Sequence, residues 1–338
     1  MISFEKASYR AQIARSRRLA EETLKDYSIG PHRIDFINHG ENTTFRVTAR
    51  KQTYLLRLHR FGYHKKAAIL EELNWIRKIA ASTDIPVQVP IQTKRGQLVA
   101  EYEVNGCPPR FCDLLTWQDG IFRYKSVKQT ALYSLGQLTG KLHASSKGLK
   151  VKHRAYWTSE ELLGRNAKFG SLSQLAPLFP KEYPILNEAR KKTIGKIRLY
   201  ERKFPNRISL IHADLHFGNI VWNKNQITPI DFDDCGLGFH AYDIAVSMLA
   251  SHSILNRFNK VKRQKLIDSY FDGYASKHEL TQSDREIIPY FMNARNLLMK
   301  VWCWERRDNP RIIGYLKTSM KRDLPKLRKF LKHGPDSF

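Results

Sequence analysis

Polar and apolar positions alternate through the first third of the chain. The runs RIDFINHG (33–40), TTFRVTA (43–49) and TYLLRLHR (53–60) are short, rich in β-branched and aromatic residues, and separated by turn-prone Gly, Asn, Arg and Lys. They predict three antiparallel strands. From His64 to Ser82 the period changes, and Ile69, Leu73, Ile76 and Ile79 or Ala80 form one helical stripe that ends before the extended segment at Pro86 and Pro90. QLVAEYEV (97–104) and RFCDLLTW (110–117) then read as two more strands, giving five strands and one helix. Beyond Gly120, Leu132, Leu135, Leu138 and Leu142 recur at helical spacing and most of the remainder reads as helix. The exceptions are RISLIHA (207–213), NIVWN (219–223) and QITPIDF (226–232), three short strands around a polar cluster. The pattern predicts an α+β chain of two lobes, residues 1–118 and 119–338. The first is a five-stranded antiparallel sheet with one helix, and the second is mainly helical.

Composition narrows the classes. A hydrophobic content of 42% in 338 residues supports a sizeable core and excludes a disordered chain. The first residues are basic without a continuous apolar run, so neither a signal peptide nor a transmembrane segment is expected. The four cysteines, Cys107, Cys112, Cys235 and Cys303, show no CxxC pairing, which disfavours a disulfide framework or zinc knuckle and fits a cytoplasmic protein. Net charge is +26, carried by scattered basic stretches such as 188–203 and 317–334. Solvated helix faces account for such stretches, while contact with nucleic acid, an anionic membrane surface or an acidic protein is the alternative use of the field.

The candidate chemistry lies between Leu210 and Gly236, where LIHADLHFGNIVWNKNQITPIDFDDCG brings histidines, carboxylates and an asparagine into an apolar neighbourhood. Ionisable groups are costly there unless paired or bound to a cation. Asp214 can accept the proton of a hydroxyl nucleophile, and Asn219 and Asp231 supply the oxygen donors that Mg²⁺ prefers. Gly218 allows a tight path that turns Asn219 inward, and His212 braces the loop. Asp233 reads as an additional ligand of the metal or a support behind its ligands, and Asp234 reads as a capping or surface acid. Asp243 starts an apolar helix, where a carboxylate caps free N–H groups. His143 ends a helix and needs no functional reading. His212, Asp214 and His216 also permit a transition-metal hydrolase, which lacks further ligands in a recognisable pattern.

HADLHFGN (212–219) and IDFD (230–233) resemble the catalytic loop and metal-binding motif of the aminoglycoside phosphotransferase/choline kinase family, small-molecule relatives of the protein kinases. The resemblance extends over nearly the whole chain, including LGQLTGKLHA (135–144) and YDIA (242–245). It implies a two-lobed protein-kinase-like fold and an ATP- and Mg²⁺-dependent kinase acting on a hydroxyl of a small molecule or of protein Ser/Thr. It makes Asp214 the base and Asn219 with Asp231 the metal ligands, and it implies that an acid near Asp243 braces the catalytic loop. HGENTTFRV (39–47) takes the place of the phosphate loop, with Gly40 and the side chains of Asn42, Thr43 or Thr44. Arg57 stands where the β3 lysine is expected, with Glu72 or the neighbouring Glu71 as its helix partner, and adenine contacts fall at the backbone around Leu115–Gln118, including Trp117. The poor phosphate loop and Arg57 also motivate a second reading, a catalytically weak kinase-like protein that binds an anionic partner.

Overall fold

The computed structural model describes residues 4–50, 52–123, 128–255, 257–307 and 309–335. The chain divides into two compact units, one of Met1–Ile121, Lys150–Arg154 and Val221–Asp233, the other of Phe122–Leu149, Ala155–Ile220 and Asp234–Phe338. A single cut near residue 118 does not capture the two later segments that join the first unit.

The first unit opens with a helix, α1 (Tyr9–Leu24), capped by the Ser8 hydroxyl. Sequence reading misses it because its buried face mixes Leu19, Ala20 and Leu24 with Ser16 and Thr23. A meander follows: β1 (His32–His39), β2 (Thr43–Ala49) and β3 (Gln52–Leu58), all antiparallel. Helix α2 (Lys66–Ser82) buries Ile69, Leu73, Ile76 and Ile79, and also Glu72 and Trp75. The short β4 (Pro90–Ile91) and β5 (Ala100–Val104) then flank β6 (Cys107–Thr116). Sheet order is β1-β2-β3-β6-β4 with β5 on β6, so six strands stand where five are expected. The addition is β4, two residues in the proline-bounded segment. Phe45, Val47, Leu56, Leu58 and Leu114 fill the core against Leu19 and Leu24 of α1.

In the second unit α3 (Gln129–Ser145) buries the Leu132, Leu135, Leu138 and Leu142 stripe. β7 (Tyr156–Trp157), α4 (Ser159–Leu163) and α5 (Tyr183–Lys203) lead to β8 (Ile208–Ile211). The hairpin of β9 (Ile220–Asn223) and β10 (Gln226–Pro229) follows in sequence and belongs to the first unit from Val221 on, and the second unit resumes with β11 (Gly236–Phe239), which pairs antiparallel with β8 and parallel with β7. Helices α6 (His240–Leu255), α7 (Lys260–Ala275), α8 (Gln282–Glu305) and α9 (Pro310–His333) complete the chain. Helices α3 and α7 touch backbone to backbone: a Cβ on Gly136 would lie 2.0 Å from the Tyr270 carbonyl oxygen, and one on Gly273 would lie 2.1 Å from that of Tyr133. Only glycine fits either place. No helix among the described residues is long and apolar enough to cross a membrane. All four cysteines are free and buried.

Candidate active site

In the first unit the cross-strand register sets Arg57 of β3 opposite Asp113 of β6. The guanidinium forks onto Asp113 through Nε (2.9 Å) and Nη2 (2.8 Å), while Nη1 donates to Glu72 at 2.7 Å. Glu72 is therefore the helix partner. Glu71 instead accepts from the backbone N–H groups of Lys152, His153 and Arg154, which ties that segment to α2. His59 Nε2 meets Asp113 at 2.7 Å, and its Nδ1 lies 3.6 Å from Asp233, whose other oxygen is 3.5 Å from His64. Arg154 donates to the Asp233 carbonyl oxygen and lies 3.7 Å from Glu72.

Burial alone would raise the Asp113 carboxyl, but the charges of Arg57 and His59 outweigh it and pull it down to about 2. Burial would likewise favour neutral His59, yet Asp113 and Asp233 lift its imidazole to about 9, so it is charged at neutral pH. Three cations (Arg57, Arg154, His59) thus face three carboxylates (Glu72, Asp113, Asp233). The planar fork that distinguishes arginine from lysine is taken up by this pairing, with Arg57 only 4% exposed. Its positive charge is matched inside the unit by Glu72 and Asp113.

The remaining residues expected to meet nucleotide differ in what they offer. Thr43 is engaged by His39 (2.7 Å) and Arg110 (3.1 Å). Thr44 points to the opposite face of β2, the face of its cross-strand partner Arg57. Asn42 accepts from Arg60 N–H at 3.4 Å at the β1–β2 turn. The Leu115 side chain belongs to the core at 2% exposure. The Thr116 and Trp117 N–H groups donate to Val89 and Thr53 within the unit, and Arg46 covers the Trp117 ring at 5.0 Å. Asp231 is exposed on a left-handed backbone (φ 61°), just before Phe232, which packs edge-on to Trp75 at 5.3 Å.

In the second unit the loop after β8 carries Asp214 and Asn219. A left-handed backbone falls at Ala213 (φ 64°), a conformation costing a β-carbon residue about 1–2 kcal/mol. The site's turn thus rests on an alanine, not on Gly218, whose N–H donates to His216 Nδ1 (2.9 Å). Asp243 holds the turn, Oδ2 accepting from His212 N–H (3.0 Å) and Oδ1 from Ala213 N–H (2.8 Å). Its carboxylate therefore caps the loop instead of its own helix. His143 supports it from behind, Nε2 on Asp243 at 3.0 Å and Nδ1 on the Tyr274 hydroxyl at 2.9 Å, with the His240 ring stacked at 4.0 Å. Burial, then the nearby His278, holds His143 well below the usual imidazole range, so it acts as a neutral bridge and not as a helix-end cation. His212 is fully buried and accepts the Asp214 N–H at 3.3 Å, which is a bracing role.

Both oxygens of Asp214 are held. Arg295 of α8 donates Nη2 to Oδ1 at 2.6 Å, and Asn219 donates Nδ2 to Oδ2 and to the Asp214 carbonyl oxygen, each at 3.0 Å. With its NH₂ committed there, Asn219 turns its carbonyl oxygen the other way, as a hard-cation ligand must. An amide oxygen at Asn219 and an exposed carboxylate at Asp231 are each of the donor type that Mg²⁺ prefers. Burial disfavours a charged Arg295, but Tyr242, Asp214 and Asp234 raise its pKa above the ordinary value. Asp234 pairs with Lys168 at 2.6 Å.

Asp113, His59, Arg295 and Lys168 were not foreseen as parts of these clusters. A signal existed for two of them: Asp113 interrupts the apolar strand CDLL, and Arg295 interrupts the apolar face of α8 between Ala294 and Leu297. A charge in such a place requires a partner.

The sheet-plus-α2 unit, the helical unit and the Asp214–Asn219 loop define a kinase-like phosphotransferase. Residues 33–284 match the phosphotransferase enzyme family, and the chain belongs to it. It is 24% identical over 306 residues to amicoumacin kinase of Bacillus subtilis (strain 168), covering 85% of this chain and 84% of that protein. Among solved structures, a microcompartment-associated aminopropanol kinase superposes with a TM-score of 0.83 at 24% identity, covering 95% of this chain and all (100%) of the other. The amicoumacin kinase hAmiN, in complex with AMP-PNP, Ca²⁺ and Ami, gives 0.76 at 21% identity, covering 94% and 96%.

Proposed function

We propose that this phosphotransferase uses Asp214 as the base that receives the proton of an acceptor hydroxyl while the γ-phosphoryl group of ATP passes to that oxygen. The acceptor O–H bond and the bond from the γ-phosphorus to the β–γ bridging oxygen break, a new P–O bond forms, and ADP leaves. Asn219 and Asp231 are the residues assigned to hold Mg²⁺, which supplies charge neutralisation to the phosphates when bound. Asn42 and Thr44 are assigned to the phosphate side, and the backbone near Leu115 with Trp117 to the adenine. Arg57 and Glu72 enter as the ion pair that organises this nucleotide-binding unit. The supporting observation is the two-sided hold on Asp214, which leaves the carboxylate one orientation, as proton acceptance from a positioned alcohol demands.

The acceptor class favoured is a small organic alcohol. The two kinases of similar fold are named for small molecules, aminopropanol and amicoumacin, which supports this choice over protein Ser/Thr. ATP consumption with a panel of small alcohols, with and without Mg²⁺, tests the reading. Asp214→Asn is expected to lower turnover roughly 10²–10⁴-fold while an AMP-PNP thermal shift persists. A variant that turns over at the wild-type rate removes Asp214 from the chemistry. An anionic macromolecular partner for the +26 charge is a separate reading, checked by salt-dependent RNA binding that survives the same substitution.

A further inference from the structure

Lys168 lies in the loop after α4 with its ammonium in an unusual setting for a surface lysine. Its Nζ is 2.6 Å from Asp234 Oδ1, 4.3 Å from the centre of the Trp157 ring and 5.5 Å from that of Phe169. Trp157 is itself fully buried, stacked on Tyr242 at 5.5 Å, and its indole N–H donates to the Asp234 carbonyl oxygen at 2.9 Å. A carboxylate beside the face of a rigid tryptophan is the arrangement that recognises an ammonium group. Here the ammonium belongs to the protein. The side chains of Lys168 and Asp234 keep only 15% and 21% exposure, so the pair is largely screened from water.

This seat adjoins the catalytic loop through one residue. Arg295, bonded to Asp214 Oδ1 at 2.6 Å, lies 6.0 Å from the same Trp157 ring and feels the charges of both Asp214 and Asp234. Within the second unit, carboxylates and cations therefore alternate from Asp214 through Arg295 and Asp234 to Lys168. The carboxylate in this series beyond Arg295, Asp234, is already paired.

We infer that Lys168 sets acceptor specificity by filling, from within the chain, the ammonium seat of Asp234 and Trp157, so that the acceptor presents an uncharged or carboxylate group there and not a cation. The inference rests on the kinase reading above and adds the chemical class of the acceptor. Two arguments favour a lasting occupant over a plug that substrate displaces. An intramolecular group competes at an effective concentration of roughly millimolar or more. Exchanging one ammonium for another also makes no new contact that could drive the displacement.

The test is calorimetric titration of ethylammonium chloride against a sodium chloride control of equal ionic strength. Wild type, Lys168→Ala, Lys168→Met and Lys168→Ala/Asp234→Asn are compared, each checked for its fold by circular dichroism and melting. Lys168→Met keeps the stem packed on Trp157 and Phe169 should the alanine variant fold poorly. Opening the seat is expected to tighten ethylammonium binding at least about tenfold relative to wild type, and the double variant to lose that gain. Wild type binding ethylammonium as tightly as the opened variants would overturn the inference, since Lys168 would then yield its place. Folded Lys168 variants that gain no binding would overturn it too. Failure of the kinase reading shows separately, as wild type with neither an AMP-PNP thermal shift nor ATP turnover.

Discussion

Replacing Asp113 by asparagine changes almost no volume but removes the charge on which the first unit's buried cluster is centred. Arg57, 4% exposed, loses a bidentate partner and keeps Glu72, while His59, 2% exposed, loses its 2.7 Å contact. Breaking one member out of a buried pair costs about 3–5 kcal/mol, because the charge left behind stays desolvated. The His59 share can be worked separately. Its imidazole moves from 6.5 to about 9 on folding, so its contribution is complete below the unfolded value and disappears as pH rises through about 9. At about pH 5.5 that share is on the order of 3 kcal/mol, and by about pH 9.5 it is nearly gone. The Asp113 carboxyl, depressed to about 2, contributes above 3.8 and loses its contribution only as pH falls through about 2. Asp113→Asn should therefore cost most between these limits. Scanning calorimetry at about pH 5.5 should show the first unit melting roughly 10 °C lower than wild type, taking 2–4 °C per kcal/mol. The gap should narrow at about pH 9.5, where wild-type His59 has lost its proton. A difference below about 2 °C at the lower pH, or a gap that widens with pH, would show that the cluster is not the electrostatic unit described.

Two further outcomes follow from the second unit. Arg295→Met should lower kcat roughly 10²-fold with little change in KM for ATP, with Arg295→Lys recovering part of the loss because it restores a donor to Asp214 without the fork; equal damage to both parameters in a melted protein would reduce Arg295 to scaffold. Asp243→Asn turns an NH₂ toward one of the two loop N–H groups that the carboxylate oxygens now accept, so urea unfolding should show about 2–4 kcal/mol of destabilisation, and an unchanged midpoint would mean the Ala213 turn stands without it.

What could be read from the chain alone divides by the range of the interaction. The meander strands and α2 are legible because each buries one face, and alternation or a 3.6-residue stripe records that locally. The Asp214–Asn219 spacing is equally local, five residues within one loop. The partners that hold those groups are far off in sequence: 56 residues separate Arg57 from Asp113, 81 separate Asp214 from Arg295, and 66 separate Lys168 from Asp234. No periodicity encodes such pairs. Their trace in the sequence is a charged residue where an apolar one belongs, as at Asp113 and Arg295, and that says a partner exists without saying which. Helix α1 and the two-residue β4 escaped for a different reason, since neither has a face apolar enough or long enough to stand out.

Asp243 shows where local chemistry stops and the family resemblance, which implies an acid here that braces the catalytic loop, goes further. An acid in the first turn of an apolar helix is a sound reading as a cap, because free N–H groups are what such a carboxylate accepts. The N–H groups it accepts are those of His212 and Ala213, 31 and 30 residues earlier, where an alanine holds a left-handed backbone. That conformation costs free energy at Ala213 and persists only where surrounding contacts over-determine it. Two charge-assisted hydrogen bonds that the Asp243 carboxylate accepts, the carboxylate itself placed by neutral His143 and the Tyr274 hydroxyl, supply that determination. The strain therefore sits one residue before the proposed base, and what offsets it sits at the start of α6. The direction of Asp214 depends on a hydrogen-bond chain whose members never touch the reacting groups.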